Sequence, residues 1–219
     1  MRQPITEQLL RDQHLEFITD QLTEQSYAVV DGWLLAGELD QLRALADQLR
    51  EQGEFQRAGI GRANDYQLKQ EVRGDLIHWL DPHDPHPATA NFFAGLDQLV
   101  QHLNRTLFLG LQSLEMHLAI YPAGTRYQRH LDVFQTDGSR RLSAICYLND
   151  DWTPDDGGQL RMYLPGPDGQ ETTLDIVPRG GRLVLFLSDL LEHEVLPARR
   201  ARYSITGWLR RQASPFPLA

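Results

Sequence analysis

A single cysteine, Cys146, excludes an internal disulfide. No stretch of the 219 residues approaches the ~18 uninterrupted apolar residues of a membrane helix, so no membrane partner is expected. The opening residues MRQPITEQLLRDQ lack the apolar run of a signal peptide, which makes the cytoplasm the expected compartment. Positive charge is scarce: 21 Lys and Arg stand against 30 Asp and Glu, a net charge of -9. Binding to nucleic acid or to an anionic membrane rests on clustered basic side chains, so this balance argues against both and favours a neutral or basic protein partner. There is no repeat and no low-complexity tract, and the length suits one domain with a helical extension.

What is present changes texture part-way along. Between Thr6 and about Gln25, Leu9, Leu10, Leu15, Phe17, Ile18 and Leu22 recur at roughly helical intervals. SYAVVDGWL reads as a short strand and turn. AGELDQLRALADQLREQ reads as a helix with Leu39, Leu42, Leu45 and Leu49 on one face, ended by Gly53. The stretch from Gly53 to Gln70 has no clear period and reads as a long loop, a candidate lid. VRGDLIHWL reads as a strand, and ATANFFAGLDQLVQHLNRTL as an amphipathic helix. From Glu115 onward about eight short apolar or alternating runs follow, cut by Gly, Pro, Asp and Asn, which indicates a sandwich or barrel.

The chemistry concentrates in YPAGTRYQRHLD, residues 121–132. Successive side chains of a strand point to opposite faces, so His130 and Asp132 share one face while Leu131 turns away. His193, after the apolar run RLVLFL, supplies a second imidazole. Two imidazoles and a carboxylate form the facial triad that leaves open positions on non-haem Fe(II). Nine residues further, in RYSITGWLR, alternation puts Arg202, Ser204, Thr206 and Trp208 on one face. A guanidinium there can hold a carboxylate at two points. Together these features point to an oxygenase that uses a 2-oxo acid. Cys146 has the opposite phase from Tyr147 and is expected on the apolar face. The remaining histidines, among them His78 and His117 in strands, read as packing or solvated residues.

The motifs RGDLIHWLD, YPAGTRYQRHLD, CYLNDDW, GGQLRMY, HEV and RYSITGW, taken in order over about Val72 to Arg210, resemble those of the prolyl 4-hydroxylase-domain oxygenases. That family includes the oxygen-sensing enzymes that modify hypoxia-inducible factor and their bacterial relatives. The resemblance implies a mainly β fold with flanking α: a double-stranded β-helix, or jelly-roll, core packed by N-terminal helices. Residues 1–114 would be helices and supporting strands integral to the same domain, 115–212 the catalytic core and 213–219 a tail. It implies hydroxylation of a prolyl residue at its 4-position in a protein, with elongation factor Tu as a candidate substrate; a monomer is expected. Fe(II), 2-oxoglutarate and O2 would be required, with ascorbate in support.

By position, His130, Asp132 and His193 match the iron ligands, and Arg202 with Tyr147 the grip on 2-oxoglutarate. Tyr121, Thr206, Trp208 and Leu160 match pocket residues, and Arg73, Asp75 and Arg140 those that approach the substrate chain. The chain departs from the animal oxygen sensors in two places: the segment between Tyr121 and His130 is one residue shorter, and His117 stands where they carry an apolar pocket residue. Two other readings keep the metal: a hydroxylase of a free amino acid or small metabolite, and an oxygen-sensing or binding protein.

Overall fold

The computed structural model describes residues 3–59, 73–83, 86–133, 138–166 and 168–212. Three helices precede the main run of strands: α1 (Gln3–Gln25), α2 (Ala36–Glu51) and α3 (Pro87–Leu107). Leu15, Ile18 and Leu22 form the buried stripe of α1, while Leu9, Leu10 and Phe17 remain exposed. Helix α2 begins where the Glu38 carboxylate accepts from the Leu35 backbone N–H at 3.1 Å and ends just before Gly53, whose φ of 76° is the left-handed conformation that follows a helix C-terminus. Helix α3 starts on Pro87, with the His86 ring accepting from the Ala88 N–H at 3.3 Å. His86 is therefore a helix cap.

The strands are β1 (Tyr27–Val30), β2 (Gln56–Arg57), β3 (Leu76–Leu80), β4 (Leu111–Tyr121), β5 (Tyr127–His130), β6 (Arg140–Tyr147), β7 (Leu160–Pro165), β8 (Glu171–Ile176), β9 (Leu183–Leu187), β10 (His193–Val195) and β11 (Arg202–Arg211). All eight runs read from the sequence after residue 115 are present. They form two antiparallel sheets. The major one has the order β1-β9-β6-β11-β4-β3-β2 and the minor one β5-β10-β7-β8. Of the proposed lid, residues 53–59 are described and carry β2; residues 60–70 lie outside the described residues.

The major sheet is buried on both faces, which explains why RLVLFL looks like an unbroken apolar run. One face, with Met116, Leu118, Ile120, Leu142, Ala144, Cys146, Tyr203 and Ile205, packs in one cluster with Leu15, Ile18, Leu96 and Leu99 of the helices. The opposite phase, with Ala119, Tyr121, Ile145, Tyr147, Val184 and Phe186, packs against Leu160, Met162, Leu191 and Val195 of the minor-sheet side. The even-odd split puts Cys146 under the helices and Tyr147 between the sheets.

Gly207 occupies the centre of the major sheet. A Cβ there would lie 2.6 Å from Met116 Sδ and closer still to the Glu115 carbonyl, so β4 and β11 approach at a distance only glycine permits. Gly207→Ala is expected to destabilise the fold by about 1–3 kcal/mol or more, the range for forced overpacking; urea unfolding followed by far-UV circular dichroism measures it.

Candidate active site

The site forms between the sheets, where β5 and β10 face the inner surface of β4, β6 and β11. Antiparallel pairing sets His193 directly opposite His130. Their rings lie 4.2 Å apart between centroids. Strand β5 ends at His130, and Asp132 sits in the bend beyond it. The convergence of His130 and Asp132 is therefore not strand alternation, as the sequence reading had it. The turn of the chain after Leu131 folds the carboxylate back. His130 Nε2 lies 3.4 Å from Asp132 Oδ1, and His193 Nε2 3.6 Å from Asp132 Oδ2. One ligand atom from each residue falls within 4.8 Å of the others.

Each of the three groups is aimed by a further contact. The Nδ1 atoms of His130 and His193 lie 2.8 and 3.2 Å from the carbonyl oxygens of Gln128 and Leu191, leaving both Nε2 atoms as acceptors toward the common centre. Tyr127 stacks on His130, with centroids 3.7 Å apart and planes 19° apart. Ser143 donates to Asp132 Oδ2 at 2.6 Å and meets Ser188 at 2.9 Å. Burial pushes the Asp132 pKa up, but His193, His130 and the Ser143 hydrogen bond outweigh it and hold the carboxylate well below its usual range. Burial lowers His193 to about 4, against the opposing pull of Asp132. At neutral pH the site is thus an anion with a neutral imidazole beside it, the protonation a divalent cation requires. Two nitrogens and one carboxylate with no fourth protein ligand among the described residues match an open Fe(II) site better than a closed structural one.

Arg202 opens β11 opposite Tyr121 and is 1% exposed. Its Nε donates to the Gly158 carbonyl at 3.0 Å, and its guanidinium carbon lies 5.1 and 4.9 Å from the centres of the Tyr121 and Tyr147 rings. Arg202 Nη2 and the Tyr147 hydroxyl are buried without a hydrogen-bond partner among the described residues. Burial raises the Tyr147 pKa against the opposing Arg202 charge, and burial raises Tyr121 as well, so both are neutral phenols at physiological pH. A buried cation with spare donors beside a neutral phenol can receive a carboxylate at this place.

The pocket that opens onto the triad is also lined by Arg73, His117, Leu160, Thr206 and Trp208. Arg73 makes a two-point ion pair with buried Asp75, at 2.8 and 3.0 Å, and lies over the Tyr127 ring at 4.8 Å. Burial works against the Arg73 charge, and Asp75 more than offsets it. The pair thus supports the ring that supports His130. It also borders an adjoining cleft of about 310 Å³, together with Arg57, Pro122 and Thr125. Arg140 donates to the Asp132 carbonyl at 3.1 Å and covers the ring of Trp208, a wall of the pocket, at 3.2 Å.

Two residues of the site, Ser143 and Tyr127, are not flagged by the sequence reading. Ser143 shares the phase of Ile145 and Tyr147, which alternation along β6 would have flagged. Tyr127, inside the quoted motif, gave no signal of its stacking. His117, a packing residue by its place in a strand and a pocket residue by the resemblance, is a wall of the pocket.

Residues 116–210 match the 2OG-Fe(II) oxygenase superfamily. The crystal structure of a Pseudomonas putida prolyl-4-hydroxylase is 41% identical, with a TM-score of 0.79, and the match covers 90% of this chain and 99% of that one. The hypoxia-inducible factor prolyl hydroxylase of Caenorhabditis elegans is 35% identical over 205 residues, 88% of this chain but 28% of the worm protein, so the chain spans little more than a quarter of that relative. A Trichoplax adhaerens prolyl hydroxylase solved with a hypoxia-inducible factor peptide is 24% identical with a TM-score of 0.84 over 96% of this chain and 95% of that one, a likeness of fold.

The low pKa of His193 has a signed consequence for the metal-free protein. Between about 6.5 and about 4 the unfolded chain takes up a proton that the folded His193 refuses, so stability falls as pH drops through that window. His117, lowered to about 3 by burial, adds with the same sign. The melting temperature of the chelator-treated protein should decline from pH 6.5 to 4, and less steeply in His193→Asn. Identical slopes would contradict a neutral buried His193.

Proposed function

Because the chain belongs to the 2OG-Fe(II) oxygenase superfamily, among the relatives of the hypoxia-inducible factor prolyl hydroxylases, we propose that it hydroxylates a prolyl residue of a protein substrate at the 4-position. The observation that carries this reading is the open His130, Asp132, His193 cluster sharing one pocket with Arg202, whose unsatisfied guanidinium lies beside the Tyr147 ring. Members of the superfamily need Fe(II), 2-oxoglutarate and O2. Bound here, these would supply oxidation of an unactivated C–H to C–OH, with the 2-oxo acid leaving as succinate and CO2.

The chain's own residues then have distinct tasks. His130, Asp132 and His193 hold the metal in the protonation state described above. Arg202 neutralises the far carboxylate of the co-substrate, and the Tyr147 hydroxyl donates to it. Tyr121 and Thr206 bound the same compartment, while Leu160 excludes water from it. Trp208, held by Arg140, closes the opposite wall. The Arg73 and Asp75 pair faces the adjoining cleft, where an extended peptide would approach. An open cleft beside the pocket favours a polypeptide over a free amino acid. Residues of the N-terminal helices and of the strands share one apolar cluster, which supports treating 1–114 and 115–212 as a single working unit. No helix among the described residues is long and apolar enough to cross a membrane.

Elongation factor Tu is the protein substrate the resemblance nominates. Incubated with the enzyme, Fe(II), 2-oxoglutarate and ascorbate, it should gain one oxygen on a proline by peptide mass spectrometry, and Asp132→Asn should abolish the gain. Oxidation of free proline but of no prolyl peptide would favour the small-molecule reading instead.

Replacing Tyr147 by Phe removes one hydrogen bond to a charged group, worth about 1.5–3 kcal/mol. The apparent affinity for 2-oxoglutarate should fall roughly tenfold or more, with larger losses in Arg202→Ala. Isothermal titration of the metal-loaded protein distinguishes these.

A further inference from the structure

The grip on a carboxylate leaves a second set of unsatisfied polar atoms unexplained. His117 is 1% exposed, yet neither ring nitrogen has a hydrogen-bond partner among the described residues, and the indole N–H of Trp208 is buried and equally unpaired. Both side chains line the pocket of the triad, with ring centroids 5.8 Å apart. The edge of Trp79 packs on the other side of the imidazole, at 5.0 Å. Burial, with a contribution from Arg73, keeps the ring neutral, so it offers one donor and one acceptor. A buried imidazole without any partner forfeits a substantial part of its hydration, which an apolar residue of similar size would not.

Position separates this set from the carboxylate grip. Thr206 is directly opposite His117, and Trp208 directly opposite Ser143, the residue that donates to Asp132. Arg202 lies four residues back along β11, about 14 Å of extended backbone. The carboxylate that Arg202 neutralises therefore does not satisfy His117. What lies near it is the Asp132 side of the triad, where three protein ligands leave metal positions open.

Resting on the reading of the triad as a metal centre, we infer that His117 and Trp208 form a hydrogen-bonding shelf for a small neutral oxygen ligand, water in the resting site, held at the open face of the metal. His117 is a positioning residue in this account. Its neutral ring donates to or accepts from the ligand, and the Trp208 indole donates. The shelf would set how readily that position is vacated.

Cobalt(II) serves as the probe, because its visible absorption strengthens as the number of its ligands falls. The wild-type protein loaded with Co(II) and saturated with 2-oxoglutarate should show the weak bands of a six-ligand ion. His117→Leu should show bands several-fold stronger, Trp208→Phe a change in the same direction, and His117→Asn, which keeps a donor and an acceptor, a spectrum close to wild type. Circular dichroism and a Co(II) stoichiometry by equilibrium dialysis confirm that each variant is folded and loaded. Superimposable spectra for wild type, His117→Leu and Trp208→Phe at equal loading would overturn the shelf while leaving the triad intact. Failure of the wild-type protein to take up Co(II) would instead remove the metal centre, and the shelf with it.

Discussion

The antiparallel pairing of β10 with β5 is the constraint on which the rest of the site depends, because it alone brings His193 opposite His130. A slip of one residue would turn every side chain of β10 to the other face and separate the two imidazoles. The three residues of β10 are too few to hold that register unaided. Pairing with β7 on the other edge, where His193 faces Met162, and the packing of Val195 and Leu191 in the inter-sheet core hold it in place. The metal geometry is thus stabilised by apolar burial that takes no part in the chemistry.

Polarity within the inter-sheet space is distributed with similar economy. Asp132, Ser143, Ser188 and the two histidines satisfy one another or nearby carbonyls, so the anion is buried without an unpaired donor beside it. Arg202 and Tyr147, and separately His117 and Trp208, do not satisfy their polar atoms within the described structure. Unsatisfied groups at two distinct places mark where ligands complete the structure, since a pocket evolved only for stability would fill them with apolar atoms. The helices stay remote from this. They cover the outer face of the major sheet and keep β6, β9 and β11 buried on both sides, which gives the inner face a rigid backing.

Much of this was legible residue by residue. The alternation of Arg202, Ser204, Thr206 and Trp208 against Tyr203, Ile205 and Leu209 assigns β11 its two faces, and the opposite phases of Cys146 and Tyr147 do the same for β6. The His-x-Asp pair and the later His193 were recognisable as ligands by residue type. The route by which Asp132 arrives was not, since the strand stops at His130 and a bend completes the approach.

By itself, the sequence determined the residue types of the metal cluster, the face each strand presents and the number of strands after residue 115, because side-chain phase and turn chemistry are local properties of the chain. Only the tertiary structure decided that Tyr127 stacks on His130 and that Ser143 aims Asp132. Those contacts arise from registers between strands far apart in the chain and from the distance between two sheets, and neither quantity is encoded in the period of any single strand.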